Sequence, residues 1–412
     1  MALAANTNLG HSWTRVDGID LLRGIAIFLV LMNHVNMRLF LTKVPYTQGL
    51  PHQLVASLVW HGQLGVHIFF AVSGFLITST TLRRWGSLGN ISVRDFYWLR
   101  FARIAPLLLL LLLVLSAFHF AGMHDFVVGP KTGGLGRALF AALTFHVNVL
   151  EARRGYLPGS WDILWSLSVE EMFYLFFPIL CWLLARTTRR AEVRDKSVRT
   201  SGGLTLLVPL LLVFVVLGPF ARTVLAHGNE VWEEYSYLGG MDAIALGCLT
   251  ALLSRRIRFS ARALKILAAT GSALMALILF FSISIERWGL NARGLDITIL
   301  ATGTCMLIIV AVQTQWRGPR LLRPLLDLGQ RSYEVYLTHM FVVFACFGLF
   351  VHVGKPLGAV PVLFCAVIVI SALLGDLTAR FFSEPLNRWL RNARGDGANT
   401  LGAAVETEST RV

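Results

Sequence analysis

The feature that most constrains this chain is a series of long apolar runs. Each has roughly the 20 residues an α-helix needs to cross a ~30 Å hydrocarbon core. In lipid every backbone N–H and C=O must be paired internally, so runs of this length fold as helices. Ten are expected, at Ile19–Phe40, Ser57–Leu82, Ile104–Gly122, Ser160–Ala185, Leu204–Leu225, Tyr237–Leu253, Ile266–Ile285, Leu295–Val312, Ser332–Val353 and Ala359–Phe382. The weaker run Leu135–Leu150 holds His146 and Asn148 and reads as interfacial or re-entrant. The expected fold class is an all-α polytopic membrane protein. Composition agrees: 15% of residues are charged, against about a quarter in soluble proteins. Cys181, Cys248, Cys305, Cys346 and Cys365 all sit in apolar runs without paired spacing, and read as packing residues. The first run is too long for a cleavable signal peptide and carries Asp20 and Arg23, so it reads as an anchor.

The net charge of +14 does not point to nucleic acid, because the basic residues cluster between apolar runs instead of along an aromatic-interleaved face. With ten spans, 27 of the 37 Lys and Arg fall on one side. They include Arg15, the Arg83–Arg103 loop, the Arg186–Arg199 loop, Arg255–Lys265, Arg317–Arg331 and the residues after Arg380. Cytoplasmic loops carry the excess of Lys and Arg, so both termini are expected in the cytoplasm. The expected division is a cytoplasmic segment 1–18, a transmembrane domain 19–385 and a cytoplasmic, disordered tail 386–412.

Ionisable groups inside spans are costly and need a partner or a function. Asp20, Arg23 and His34 share one face of the first span. Asp20 and Arg23 are spaced for an i, i+3 salt bridge or for interfacial anchoring. His34 lies about 21 Å further along the helix, and reads either as a packing histidine or as a proton acceptor. Ser73-Gly74 forms a small-residue notch in the second span. In the fourth span Ser166, Glu170 and Tyr174 share a face, with Glu171 beside them. By spacing, His34, Ser73 and Glu170 reach similar depths. Arg100 and Arg103 share a face at the start of the third span, as positive-inside anchors or as a bidentate clamp for phosphate. Tyr336 and His339 stand one turn apart in the ninth span, and Asp242 stands near the start of the sixth, placed to bind a polar group or to cap the helix. No zinc-binding, P-loop or dinucleotide spacing is present, so no metal is expected.

In order along the chain, several motifs resemble the acyltransferase 3 family. They are Leu22-Arg23-Gly24 with His34, Gly65–Ile77, Arg100-x-x-Arg103 with Pro106, and Trp165-Ser166-Leu167-Ser168-Val169-Glu170-Glu171. Phe173-Tyr174-Leu175, Asp242 with Gly247, Ser332-Tyr333 with Tyr336-Leu337 and His339, and Ser383-Glu384-Pro385 complete the series. The sequence departs at His67, where the family often has an acid or amide, and at Gly240, where it often has a basic residue. With little sequence after the tenth run, the membrane unit is expected to act without the hydrolase-like domain that some relatives append.

The resemblance implies a multi-pass O-acyltransferase of the bacterial cytoplasmic (inner) membrane. It would use acyl-CoA, usually acetyl-CoA, as co-substrate, with no tightly bound cofactor. Its partners would be acyl-CoA, a carbohydrate or small-molecule acceptor and membrane lipids, with no nucleic acid. It implies His34 and Glu170 as catalytic residues, His34 serving as base or acyl carrier. Arg23, Arg100 and Arg103 would bind the donor; Asp20, Ser73, Ser166, Asp242, Tyr336 and His339 would support. Transfer to a macrolide, lipid or other secondary metabolite is the alternative within this chemistry. A proton-coupled transporter or a non-catalytic scaffold is the alternative outside it.

Overall fold

The structure, a computed structural model, describes residues 15–194 and 204–393, with side chains over 15–187 and 206–393. The expected N-terminal segment up to residue 14, the tail beyond 393 and the side chains of the basic loop Arg189–Arg199 lie outside the described residues.

Among the described residues, ten helices are long and apolar enough to cross a membrane: Asp17–Leu41, Gly62–Trp85, Val93–Phe120, Gly159–Thr187, Leu206–Leu225, Glu230–Arg256, Ala261–Phe280, Leu295–Thr314, Ser332–His352 and Leu357–Asn392. They are called the first to tenth spans below. No strand occurs among the described residues. Side chains such as Leu113, Val216, Leu373 and Phe381 are exposed on the outside of the bundle. That surface is stable only against a hydrocarbon solvent, and the chain is a multi-pass membrane protein.

Local chemistry sets the helix starts. Side chains of Ser92, Ser236 and Ser260 accept from the backbone N–H groups of Asp95, Gly239 and Ala263, each satisfying an orphan donor of the first turn. Ser236 therefore fills the capping role considered for Asp242, which sits inside the helix.

Several spans differ from expectation at their ends. The run Ser57–Leu82 breaks at Trp60-His61 into a short helix, His52–Val59, and the long one. The short helix is tied to the first span, where the Asn36 side chain donates to Val59 O at 3.3 Å. The third helix begins at Val93, well before Ile104, so Arg100 and Arg103 are helical. The seventh stops at Phe280, and Ser282–Arg287 is a separate turn held by Gln53. The tenth runs on through a π-helical turn, Ala379–Ser383, into the helix Glu384–Asn392, so residues 386–392 of the expected tail are helical. The weak run 135–150 forms two short helices, Gly134–Leu143 and Val147–Arg154, and crosses nothing. Their junction is pinned by Tyr237, whose hydroxyl donates to Phe145 O at 2.6 Å.

The second and sixth spans pack at the bundle centre through two glycines. A Cβ on Gly74 would lie 2.0 Å from Ile244 O, and one on Gly247 2.1 Å from Ala71 O. Gly74 thus serves close backbone approach. Gly74→Ala should destabilise the protein by about 1–3 kcal/mol through overpacking. Melting in detergent checks this, with Gly348→Ala as control, because a Cβ there meets nothing within 4 Å. Equal melting temperatures for the two variants would refute the close-packing account.

Candidate active site

The first, second, third, fourth and ninth spans bring their polar residues together inside the bundle. At the end where the first span begins, Arg15 donates to Asp20 at 2.6 Å, while Arg23 stands 3.9 Å from the other Asp20 oxygen. The expected Asp20–Arg23 pair is therefore loose. Arg23 instead donates from Nε to Ser332 Oγ at 3.1 Å and ties the first span to the ninth.

Arg100 and Arg103 enter the same end on the third span. The Arg100 guanidinium lies 3.7 Å from the centre of the Tyr174 ring, and that of Arg103 lies 5.8 Å from the Tyr333 ring. Among the described residues neither forms an ion pair with a carboxylate, and Arg103 is exposed. Two guanidinium groups held by aromatic faces keep their N–H edges free for phosphate oxygens.

Deeper in the bundle, the Tyr174 hydroxyl donates to Glu170 Oε1 at 2.5 Å, and the Ser73 hydroxyl donates to the same oxygen. The depth inferred for Ser73 and Glu170 becomes a direct contact between the second and fourth spans. Tyr174 joins the site as a residue not assigned a role from sequence. Glu171 points elsewhere; its buried Oε1 has no hydrogen-bond partner among the described residues.

One turn back from Glu170, Ser166 Oγ is 2.7 Å from the Tyr336 hydroxyl, which also donates to Ile163 O at 3.0 Å. These bonds join the fourth and ninth spans. Tyr336 and His339 have ring centres 5.7 Å apart. His339 is fully buried, and its Nε2 is 3.3 Å from Nδ1 of His34. His34 is half-buried; among the described residues its ring bonds to Val30 O and His339, and no hydrogen bond joins it to Glu170. The result is a polar series through an apolar bundle: Arg100, Tyr174, Glu170 with Ser73, then Ser166, Tyr336, His339 and His34.

Asp242 is elsewhere. It is wholly buried and held bidentately by Arg222, at 3.1 and 2.8 Å, with Thr298 donating at 2.5 Å and Ala243 N at 2.8 Å. Its oxygens are occupied, so it anchors the sixth span to the fifth and eighth. Arg222 lies on a π-helical turn, Ala221–Leu225, just after Pro219, whose missing N–H interrupts the regular ladder. Sequence reasoning missed Arg222, although it is the one charged residue inside the expected run Leu204–Leu225, and a charge within a span needs a partner. Its position explains the departure at Gly240: a side chain there would meet the Phe70 ring at 2.8 Å, and the cation arrives from the fifth span instead. His67 is buried beside Phe70, with Nδ1 3.0 Å from Gln63 O.

At the opposite end, Glu151 accepts from Leu157 N at 3.0 Å. Burial, and then the neighbouring Asp162 carboxyl, push the Glu151 carboxyl well above its ordinary value. Asp162 also accepts from Tyr235, whose ring stacks on Trp165 at 4.1 Å. Near His339, a cavity of about 650 Å³ lies between the third, ninth and tenth spans, with Leu111, Phe118, Phe341 and Thr338 in its largely apolar wall.

Residues 16–376 match the acyltransferase domain of the acyltransferase 3 family. The O-acetyltransferase OatA of Staphylococcus aureus strain NCTC 8325 is 23% identical over 388 residues, covering 90% of this chain and 57% of that protein. OatA of strain COL matches to the same extent. The chain thus spans a little over half the length of the curated relatives it matches. No solved structure matches it. The match covers all the spans that carry the polar series, from Arg23 and His34 to His339, and the chain belongs to the acyltransferase 3 family.

Proposed function

We propose that the protein is a membrane-embedded O-acyltransferase. It moves an acetyl group from acetyl-CoA to a hydroxyl of a carbohydrate or glycoconjugate. The observation that carries this reading is the polar series from Arg100 to His34, with Arg100 and Arg103, which pair with no carboxylate among the described residues, at one end and a histidine at the other. The donor arrives at the end carrying Arg23, Arg100 and Arg103, which positive-inside charge sorting assigns to the cytoplasm. Arginine side chains suit the phosphates of CoA. His34 sits deeper and meets the acceptor hydroxyl arriving from the outer side of the bacterial inner membrane. The O-acetyltransferase names of the relatives favour acetyl as the group and a hydroxyl as the acceptor.

In the proposed reaction the acceptor oxygen bonds to the acetyl carbon while its proton passes to His34. The C–S bond breaks with its electron pair on the CoA sulfur, which takes up the proton as a thiol. Glu170, fixed by Ser73 and Tyr174, orients the groups around the transfer path. Asp20 holds the end of the donor channel through Arg15.

The donor end is tested with Arg103→Gln. We expect KM for acetyl-CoA to rise about tenfold, the loss of one charge-assisted contact, with kcat changed by less than about threefold. In sealed vesicles of both orientations, only those presenting the Arg103 face to added acetyl-CoA should be active. An unchanged KM, or equal activity in both orientations, would contradict the assignment.

A further inference from the structure

His34 and His339 meet through one nitrogen each, and their other contacts decide where the protons sit. His339 Nδ1 is 2.6 Å from Tyr336 O, a carbonyl that can only accept. That nitrogen therefore carries the proton, and a neutral His339 presents a bare Nε2. His34 Nδ1 is 2.9 Å from Val30 O and 3.3 Å from His339 Nε2, both acceptors in this arrangement. A proton on His34 Nδ1 satisfies both at once. The opposite arrangement turns a nitrogen lone pair toward a carbonyl oxygen at each histidine. In the neutral pair only one tautomer of each ring avoids this.

From this geometry we infer that His339 is a positioning residue for His34. It holds His34 as the Nδ1–H tautomer and leaves the Nε2 lone pair free to take the acceptor's proton. The inference rests on the acyl-transfer reading and deepens it. An acidic residue orients the base in the familiar serine hydrolase triad. Here a neutral imidazole does so, which suits an apolar interior because it leaves no carboxylate to desolvate. When His34 becomes an imidazolium, its Nδ1–H still points at two acceptors. Full burial fixes the His339 ring, while His34 keeps accessible surface. The two residues are 305 positions apart in sequence, so the pair exists only once the first and ninth spans have packed.

The test uses the full chain reconstituted in lipid, with His339→Leu and His339→Gln compared with wild type. Leucine removes the acceptor, whereas glutamine can supply one through its side-chain oxygen. His339→Leu should lower kcat for CoA release about 100-fold, with KM for acetyl-CoA within about twofold of wild type. His339→Gln should recover kcat to within about tenfold of wild type. Equal losses in the two variants, or a wild-type kcat in His339→Leu, would overturn the inference. A second readout does not depend on activity. In ¹⁵N-histidine-labelled protein, the His34 resonances, identified by their loss in His34→Gln, should show a protonated Nδ1 and a bare Nε2. A bare Nδ1 overturns the positioning role even if the protein transfers acetyl groups. Wild-type protein with the expected tautomer but no CoA release would instead sink the acyl-transfer reading.

Discussion

His34→Ala should abolish measurable acetyl transfer, lowering kcat by about 10²–10⁴-fold, the range set by removing a positioned general base. The protein should remain folded, because His34 is partly accessible and its ring makes two hydrogen bonds, to Val30 O and His339. Alanine leaves the helix backbone of the first span undisturbed. The check is acetyl-CoA turnover by purified variant and wild type in the same lipid, with equal elution as a folded monodisperse species. Glu170→Gln makes a useful comparison, since it keeps an oxygen for Ser73 and Tyr174 while removing the charge. Full activity in His34→Ala would remove the base and acyl-carrier roles together.

The largest effect on stability is expected at Asp242. Removing its carboxylate leaves the Arg222 guanidinium buried without its counter-charge, and breaking a buried pair in this way costs about 3–5 kcal/mol. Asp242→Ala should therefore reduce the yield of folded protein and lower its melting temperature in detergent. Replacing both partners by apolar residues, as in Arg222→Met with Asp242→Leu, removes the unpaired charge and should restore much of the loss. The same double variant separates two roles for Asp242. Transfer activity within about tenfold of wild type fits a structural pair, because the backbone carbonyls of Gly239 and Gly294 that Arg222 also contacts can be solvated or repacked. Loss of activity in a well-folded double variant would return Asp242 to the acceptor site.

These two positions also show what can be read from the sequence. Long apolar runs announce the spans because lipid demands an unbroken helical ladder, and ten helices are found where ten runs were marked. The breaks at Trp60 and Phe281 were not legible. Both lie in apolar stretches whose composition says nothing about the turn, which is set by partners such as Asn36 and Gln53. At the site, His34, Ser73, Ser166, Glu170 and His339 stood out because polar groups in apolar helices are expensive. Their pairing did not. Depth along a helix follows from residue spacing, but which helices are neighbours is a tertiary fact. Spacing placed His34 with Ser73 and Glu170, whereas packing gives it to His339. Arg222 escaped notice because it lies near the end of its run, where an arginine ordinarily reads as an interfacial anchor.

The most direct test of the central claim is a stoichiometric one. Purified protein in liposomes is supplied with acetyl-CoA labelled in the acetyl group on the Arg103 side and with candidate glycan or small-molecule acceptors on the other. Free CoA thiol and base-labile acetyl ester are then measured together. The account predicts that they appear one for one and that both vanish with His34→Ala. Movement of a solute across the membrane without CoA release, or CoA release with no ester formed on any acceptor and no dependence on His34, would contradict it.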